Sequence, residues 1–292
     1  MKSSLIPRTF PRLFPAVAAL ILGVLPAGAL ELHRDRGSPF DLALTGRLAG
    51  VPAGETRYVT WADLRALPST KLKVDGEFVP GEQEVTIVFL EDLWKQLPVA
   101  DGADVLLAVC NDGYASVFRT DFIAKYRPFI VLEINGQGPE KWPPPGLKFN
   151  PGPYVMSLSS RVVPGAEQVL DAAHKKPWGV ISVEVANFAE RFGAGYTGAW
   201  AALSPAAAQG REIWVNSCAC CHQGPGGMYS GTKCPQPFPV IQAIAGYNTD
   251  FFKKYVRAPK SLVPEALMEA HPHYTDEQLD ELVAFITADR KK

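Results

Sequence analysis

The segment Ser217-Cys218-Ala219-Cys220-Cys221-His222 packs three of the chain's five cysteines into four positions and ends on a histidine. Cys218 and Cys221 stand three apart, so within one helical turn they share a side, and His222 follows at once. This C-x-x-C-H pattern is the one in which two thiols add covalently to the vinyl groups of a c-type haem while the adjacent imidazole binds its iron. Two other chemistries use cysteines this dense. A zinc ribbon needs a second Cys or His pair at similar spacing, which Cys234 alone does not supply. A disulfide knot could hardly use the neighbouring Cys220 and Cys221 together. Attachment of one haem c is the reading that uses Cys218, Cys221 and His222 together.

An iron held in this way needs a second axial ligand from downstream, on a segment long enough to reach the other face of a flat ring. Met228, Met268, His271 and His273 are the candidates. Met228 lies six residues beyond His222, a reach of at most about 20 Å that also has to accommodate a backbone turn. The later three have ample chain.

Covalent haem of this kind is attached outside the cytoplasm, and the start of the chain agrees. Lys2, Arg8 and Arg12 precede an apolar run from Leu13 to Leu25, which Ala27-Gly28-Ala29 follows. Residues 1–29 read as an export signal cleaved after Ala29. The alternative is a retained anchor that would hold the protein at the membrane. The run is, however, shorter than the roughly 20 apolar residues of a span, and Pro15 and Pro26 break it. Arg8 and Arg12 are not adjacent, so no twin-arginine signal is visible. The expected location is periplasmic. Net charge is −1 over 292 residues, which provides no clustered basic surface for nucleic acid.

The elements that must position these residues divide at "FGAGYTGAWAALSPAAAQG" (192–210), rich in Gly, Ala and Ser. Residues 196–203 are read as a linker between an upstream domain (30–195) and a downstream one (204–292). Upstream, "EVTIVF" (84–89), "VLLAV" (105–109), "IVLEI" (130–134) and "VISVEV" (180–185) read as strands, with helices in "TWADLRALP" and "LEDLWKQL". The upstream domain is therefore expected to be α+β. Downstream the period turns helical: Ser204 is a good N-cap with Pro205 in the first turn, and Thr275 with Gln278 forms a capping box. Gly210 and Trp214 share one helical face, as Leu282 and Phe285 do. His33 and His174 read as surface residues.

From Ser204 to Asp289 the chain resembles a class I cytochrome c domain, an all-α fold. "GREIWVNSCACCH" is similar to that family's first helix and haem signature, and "PEALMEAHPHYTDEQLDELVAFITADR" to its ligand loop and last helix. The resemblance implies Met268 as the sixth ligand opposite His222, with Glu269 where the family often has proline. It also implies that the first and last helices cross at Gly210, and that the carbonyl of Pro237 or Pro239 fixes the proximal imidazole. A Met/His pair raises the haem potential relative to His/His. Cys220 and Cys234, with thirteen residues between them in an oxidising compartment, could close a disulfide that restricts the unfolded chain by about 3 kcal/mol. Alternatively Cys234 and Cys110 are free or pair with each other.

"VTWADLRALPS", "FLEDLWKQL", "DVLLAVCNDGYASVF", "LEINGQGP" and "KPWGVISVEV", in that order from about Phe40 to Val185, resemble the molybdopterin-binding domain of the sulfite oxidase type. That family holds molybdenum by a cysteine ahead of the "LEDLW" helix, and "STKLKVDGEFVPGEQEVTIVF" contains none. Cys110, the one upstream thiol, reads as a small buried apolar residue. Molybdopterin is therefore not expected, no residue is assigned as catalytic, and the upstream domain is read as a docking module. The two resemblances together imply an exported carrier that passes electrons between a redox enzyme or membrane complex and another cytochrome. The other outcome is a periplasmic molybdenum oxidoreductase feeding its own haem. Residues 204–292 carry nine basic and nine acidic residues, so a partner would be met by a local patch such as Lys253, Lys254, Arg257 and Lys260 rather than by net charge.

Overall fold

Hydrophobic runs that face two ways organise the molecule. A computed structural model describes residues 30–76, 81–145, 147, 149–166, 168, 176–234 and 236–291; the export signal expected over 1–29 and His174 lie outside them. The upstream strands are β1 (Leu42–Gly46), β2 (Arg57–Val59), β3 (Thr70–Asp75), β4 (Glu82–Phe89), β5 (Val105–Cys110), β6 (Ala115–Arg119), β7 (Phe129–Ile134), β8 (Val155–Ser157) and β9 (Val180–Ala186). They form a five-stranded sheet in the order β2-β1-β9-β5-β6 and a four-stranded sheet in the order β3-β4-β7-β8. The second is antiparallel throughout, and the first is mixed because β1 runs parallel to β9. Helices α1 (Trp61–Ala66), α2 (Leu90–Gln96) and α3 (Thr120–Tyr126) connect strands.

The run Val105–Cys110 is apolar throughout because both faces of β5 are covered. Leu106, Ala108 and Cys110 point into the core shared by the two sheets, with Leu44, Phe118, Ile130, Leu132 and Val183. Val105 and Leu107 point the other way, into a second core with Val117, Phe188, Phe192, Trp214, Phe285 and Ile286. Strand β5 is thus the party wall between the sheets and the helices.

Those helices follow β9: α4 (Phe188–Phe192), 3-10 turns over Gly193–Tyr196 and Gly198–Trp200, α5 (Pro205–Ile213), α6 (Phe238–Tyr247), α7 (Thr249–Arg257), α8 (Pro259–Leu262) and α9 (Asp276–Ile286). The chain is thus mixed α and β, and the described residues after Ala186 contain no strand. Both caps read from the sequence are made. Ser204 accepts from the Ala207 amide, while Thr275 and Gln278 bond reciprocally at 3.0 and 3.2 Å. Helices α5 and α9 cross at Gly210, where a β-carbon would stand 1.9 Å from the Glu281 carbonyl oxygen. Only glycine lets the backbones approach this closely.

The stretch expected as a linker is packed. Tyr196, Trp200 and Leu203 lie against the second core, the Tyr196 hydroxyl meets Glu212 at 2.9 Å, and the Arg211 guanidinium lies 3.7 Å above the Tyr196 ring. The small residues here serve close packing, and the aromatics between them anchor the segment.

Candidate functional site

Helix α5 does not stop at Ile213; it widens into a π turn over Trp214–Cys218, in which the Ala219 amide bonds the Trp214 carbonyl at 2.8 Å. Such a turn inserts an extra residue and re-aims the side chains beyond it, a device frequent at functional sites. Trp214 is thereby buried against Phe238 and Phe285, with ring centroids 5.3 and 6.2 Å away. Cys218 starts the next turn, where the amides of Cys221 and His222 both bond its carbonyl, at 3.1 and 2.8 Å. Tyr274 fixes the turn from the start of α9 by donating to Ser217 Oγ at 2.7 Å.

This turn faces a cavity of about 740 Å³, within the roughly 300–1,000 Å³ typical of ligand sites. The cavity is lined by Ser217, Cys218, Cys220, Cys221, His222 and Cys234, by Leu267–His273, and by Cys110, Asp112, Tyr114, Lys176, Pro177 and Trp178 of the sheet module. Met268 therefore reaches the same space as the cysteines and His222, as do His271 and His273. Met228 does not. Its side chain is buried against Gly195 and Gly224 and lines a separate cavity of about 510 Å³ with Arg191 and Tyr229. The His271 amide is bonded to the Val256 carbonyl at 3.0 Å, and its ring stacks on Tyr274 at 5.4 Å.

Burial sets the protonation of the site. It pushes the Cys218 thiol up to about 12, with Cys221 adding to the effect. Cys221 is raised by its hydrogen bond with Cys220 and then by burial. For His222 burial acts in the opposite direction and lowers the imidazole, which favours the neutral form able to ligate a metal. His222 Nδ1 is buried without a hydrogen-bond partner, so neither proline carbonyl proposed for it is in place. The Pro237 carbonyl instead accepts from the Val240 amide at the start of α6. Among the described residues no group of three or more His, Cys, Asp or Glu is gathered tightly enough to hold a bare metal ion.

The Cys220–Cys234 disulfide is not made, and all five cysteines are free thiols. The Cys220 thiol turns inward, 2.7 Å from the Ser217 carbonyl and 3.9 Å from the Cys221 sulfur. Cys234 is tied to the turn by its backbone alone, its amide bonding the Cys221 carbonyl at 3.0 Å. The basic patch is also altered by packing, because Lys253 pairs with Asp280 and Arg257 with Asp276.

Sequence reasoning missed the upstream wall. Cys110 is the small buried residue expected, but with Asp112, Tyr114 and Lys176–Trp178 it also lines the cavity, so that all five cysteines of the chain border this one space. The available signal was the cysteine placed directly before a polar turn at the end of an apolar strand. Compared with known proteins, the chain matches no protein-family model, and no curated protein sequence matches it.

Proposed function

We propose that this chain is an exported electron carrier, a monohaem c-type cytochrome fused to a sulfite-oxidase-like module that carries no molybdenum cofactor. Cys218 and Cys221 would hold the haem through thioether bonds, and His222 and Met268 would ligate its iron. The observation that carries the reading is the single cavity that gathers the C-x-x-C-H segment and Met268, residues 46 positions apart in the chain. The donors fit the group: two thiols three apart, an imidazole kept neutral by burial, and a thioether on a loop that the chain brings back to them. A haem held there supplies one-electron chemistry at its iron.

The chain's own residues orient, enclose and tune. The Tyr274–Ser217 hydrogen bond holds the turn that presents Cys218. Trp214, Phe285 and Ile286 back it with an apolar core that keeps water away, one of the protein's levers on redox potential. Partners would be a redox enzyme or membrane complex on one side and another cytochrome on the other, and the location would be periplasmic.

Protein made in a host with c-type maturation should be coloured, carry one iron and no molybdenum, and gain the mass of one covalent tetrapyrrole. Replacing both Cys218 and Cys221 by alanine should remove that mass. A colourless wild-type product of unaltered mass would sink the proposal. Met268→Ala should turn the reduced spectrum high-spin, whereas an unchanged spectrum would move the ligand to His271 or His273. The second reading, a molybdenum oxidoreductase, is favoured by one observation: Cys110 lines the same cavity. Stoichiometric molybdenum that is lost on Cys110→Ala would establish it.

A further inference from the structure

The sheet module does more than carry the helical one. Its turn at Asn111–Tyr114 is fixed to the cysteine segment from both sides: the Ala115 amide bonds the Cys220 carbonyl at 2.9 Å, and the Thr232 amide bonds the Gly113 carbonyl at 2.7 Å. The fit leaves no spare room. A β-carbon on Gly231 would stand 1.9 Å from the Cys220 carbonyl oxygen and 2.7 Å from that of Gly113. One on Gly113 would meet the Thr232 hydroxyl at 2.5 Å, and Gly113 also has a φ of +85°. Lys233 closes on Asp112 at 2.7 Å. The second upstream segment is continuous with the first, because the Asn111 amide bonds the Gly179 carbonyl at 2.9 Å directly after Trp178.

We infer that Asn111–Tyr114 and Lys176–Trp178 form a wall of the haem cavity, and that Trp178 and Tyr114 hold up the reduction potential of the haem by keeping water from it. The inference rests on the haem reading above and assigns the upstream module a role in the site itself. The Tyr114 hydroxyl sits among the thiols of Cys110, Cys220 and Cys221 and is hydrogen-bonded to Cys220. Trp178 forms the rim: it is 36% exposed, and its outer face stacks on Phe149 with centroids 4.6 Å apart and an 18° interplanar angle. Oxidised haem carries one more positive charge than reduced haem. A low-dielectric wall therefore disfavours the oxidised form, and water admitted through a gap favours it. Trp178 and Tyr114 are positioning residues, since they act through solvent access and not through the iron.

The test is spectroelectrochemical titration of the full-length, haem-loaded protein. Trp178→Ala should raise the ratio of oxidised to reduced protein about tenfold at a fixed applied potential, a shift of about 59 mV for one electron, with the low-spin spectrum unchanged. Trp178→Phe should restore most of the shift, Tyr114→Phe should move the potential in the same direction by less, and Lys71→Ala, off the cavity, should not move it. If Trp178→Ala fails to accumulate, Trp178→Leu decides on the same readout. A wild-type potential in the alanine and leucine variants would overturn the inference while leaving the haem assignment intact. So would an equal shift in Trp178→Phe. Absence of covalent haem from the wild-type protein would instead overturn the assignment on which the inference rests.

Discussion

The two modules solve the problem of a core differently. The upstream sheets bury their strands against one another and against α1, α2 and α3, and residues such as Leu44, Phe118 and Leu132 are fully enclosed there without help from the helices after β9. The helical part has no comparable self-contained interior. Its largest cluster borrows Val105, Leu107, Val117 and Ala186 from the back of the five-stranded sheet, and beside it lies a cavity of about 740 Å³. A small set of short helices buries too little surface to be robust alone. The downstream part thus shares its core with the back of the five-stranded sheet.

The comparison can be broken most forcefully at Phe192, a fully buried ring between the two parts. Phe192→Ala should cost about 3–5 kcal/mol and lower the thermal midpoint of the helices more than that of the sheets, as followed by circular dichroism at separate wavelengths. Equal losses would mean that the modules form one cooperative unit. Next comes Gly210→Ala, which drives a methyl group into the Glu281 carbonyl and should cost about 3 kcal/mol in chemical denaturation. A loss near zero would mean that the helix crossing is loose. Thr275→Ala removes a capping box from α9 and should cost about 1 kcal/mol, whereas Thr275→Ser should cost much less.

The smallest effect belongs to the ion pair across the seam. Asp112 is pushed up by burial, but the hydrogen bond from Lys233 and the Tyr114 amide outweigh this and leave its carboxyl below the usual value of 3.8. Because the folded value lies below the unfolded one, the pair's contribution is present above that range and fades as pH falls through it. Both side chains are more than 40% exposed, so Asp112→Asn should cost less than about 1 kcal/mol at neutral pH and progressively less as the pH falls below the carboxylate range. A larger loss in urea melts at pH 7 would show that the seam depends on charge more than on its backbone hydrogen bonds.

Much of this was legible in the sequence. The apolar runs at 84–89, 105–109, 130–134 and 180–185 all fall within strands. The caps at Ser204 and Thr275 were readable because the signal and the structure lie within four residues of each other. What escaped was non-local. Nothing in "AVCNDGY" reveals that Ala115 will bond the carbonyl of Cys220, 105 residues away. "FGAGYTGAW" looked like a spacer because composition cannot show that Tyr196 will lie under Arg211. The candidate site was half legible: the cysteine turn from its residue types and spacing, Met268 from the family resemblance, and the opposite wall only from the fold.

The tightness at Gly231 and Gly113 has a consequence for the order of assembly. In the folded chain Cys218 is a protonated, poorly nucleophilic thiol on the wall of the cavity. On the proposed function, an enzyme that joins a tetrapyrrole to Cys218 and Cys221 would have to act before the Gly113–Thr232 seam closes.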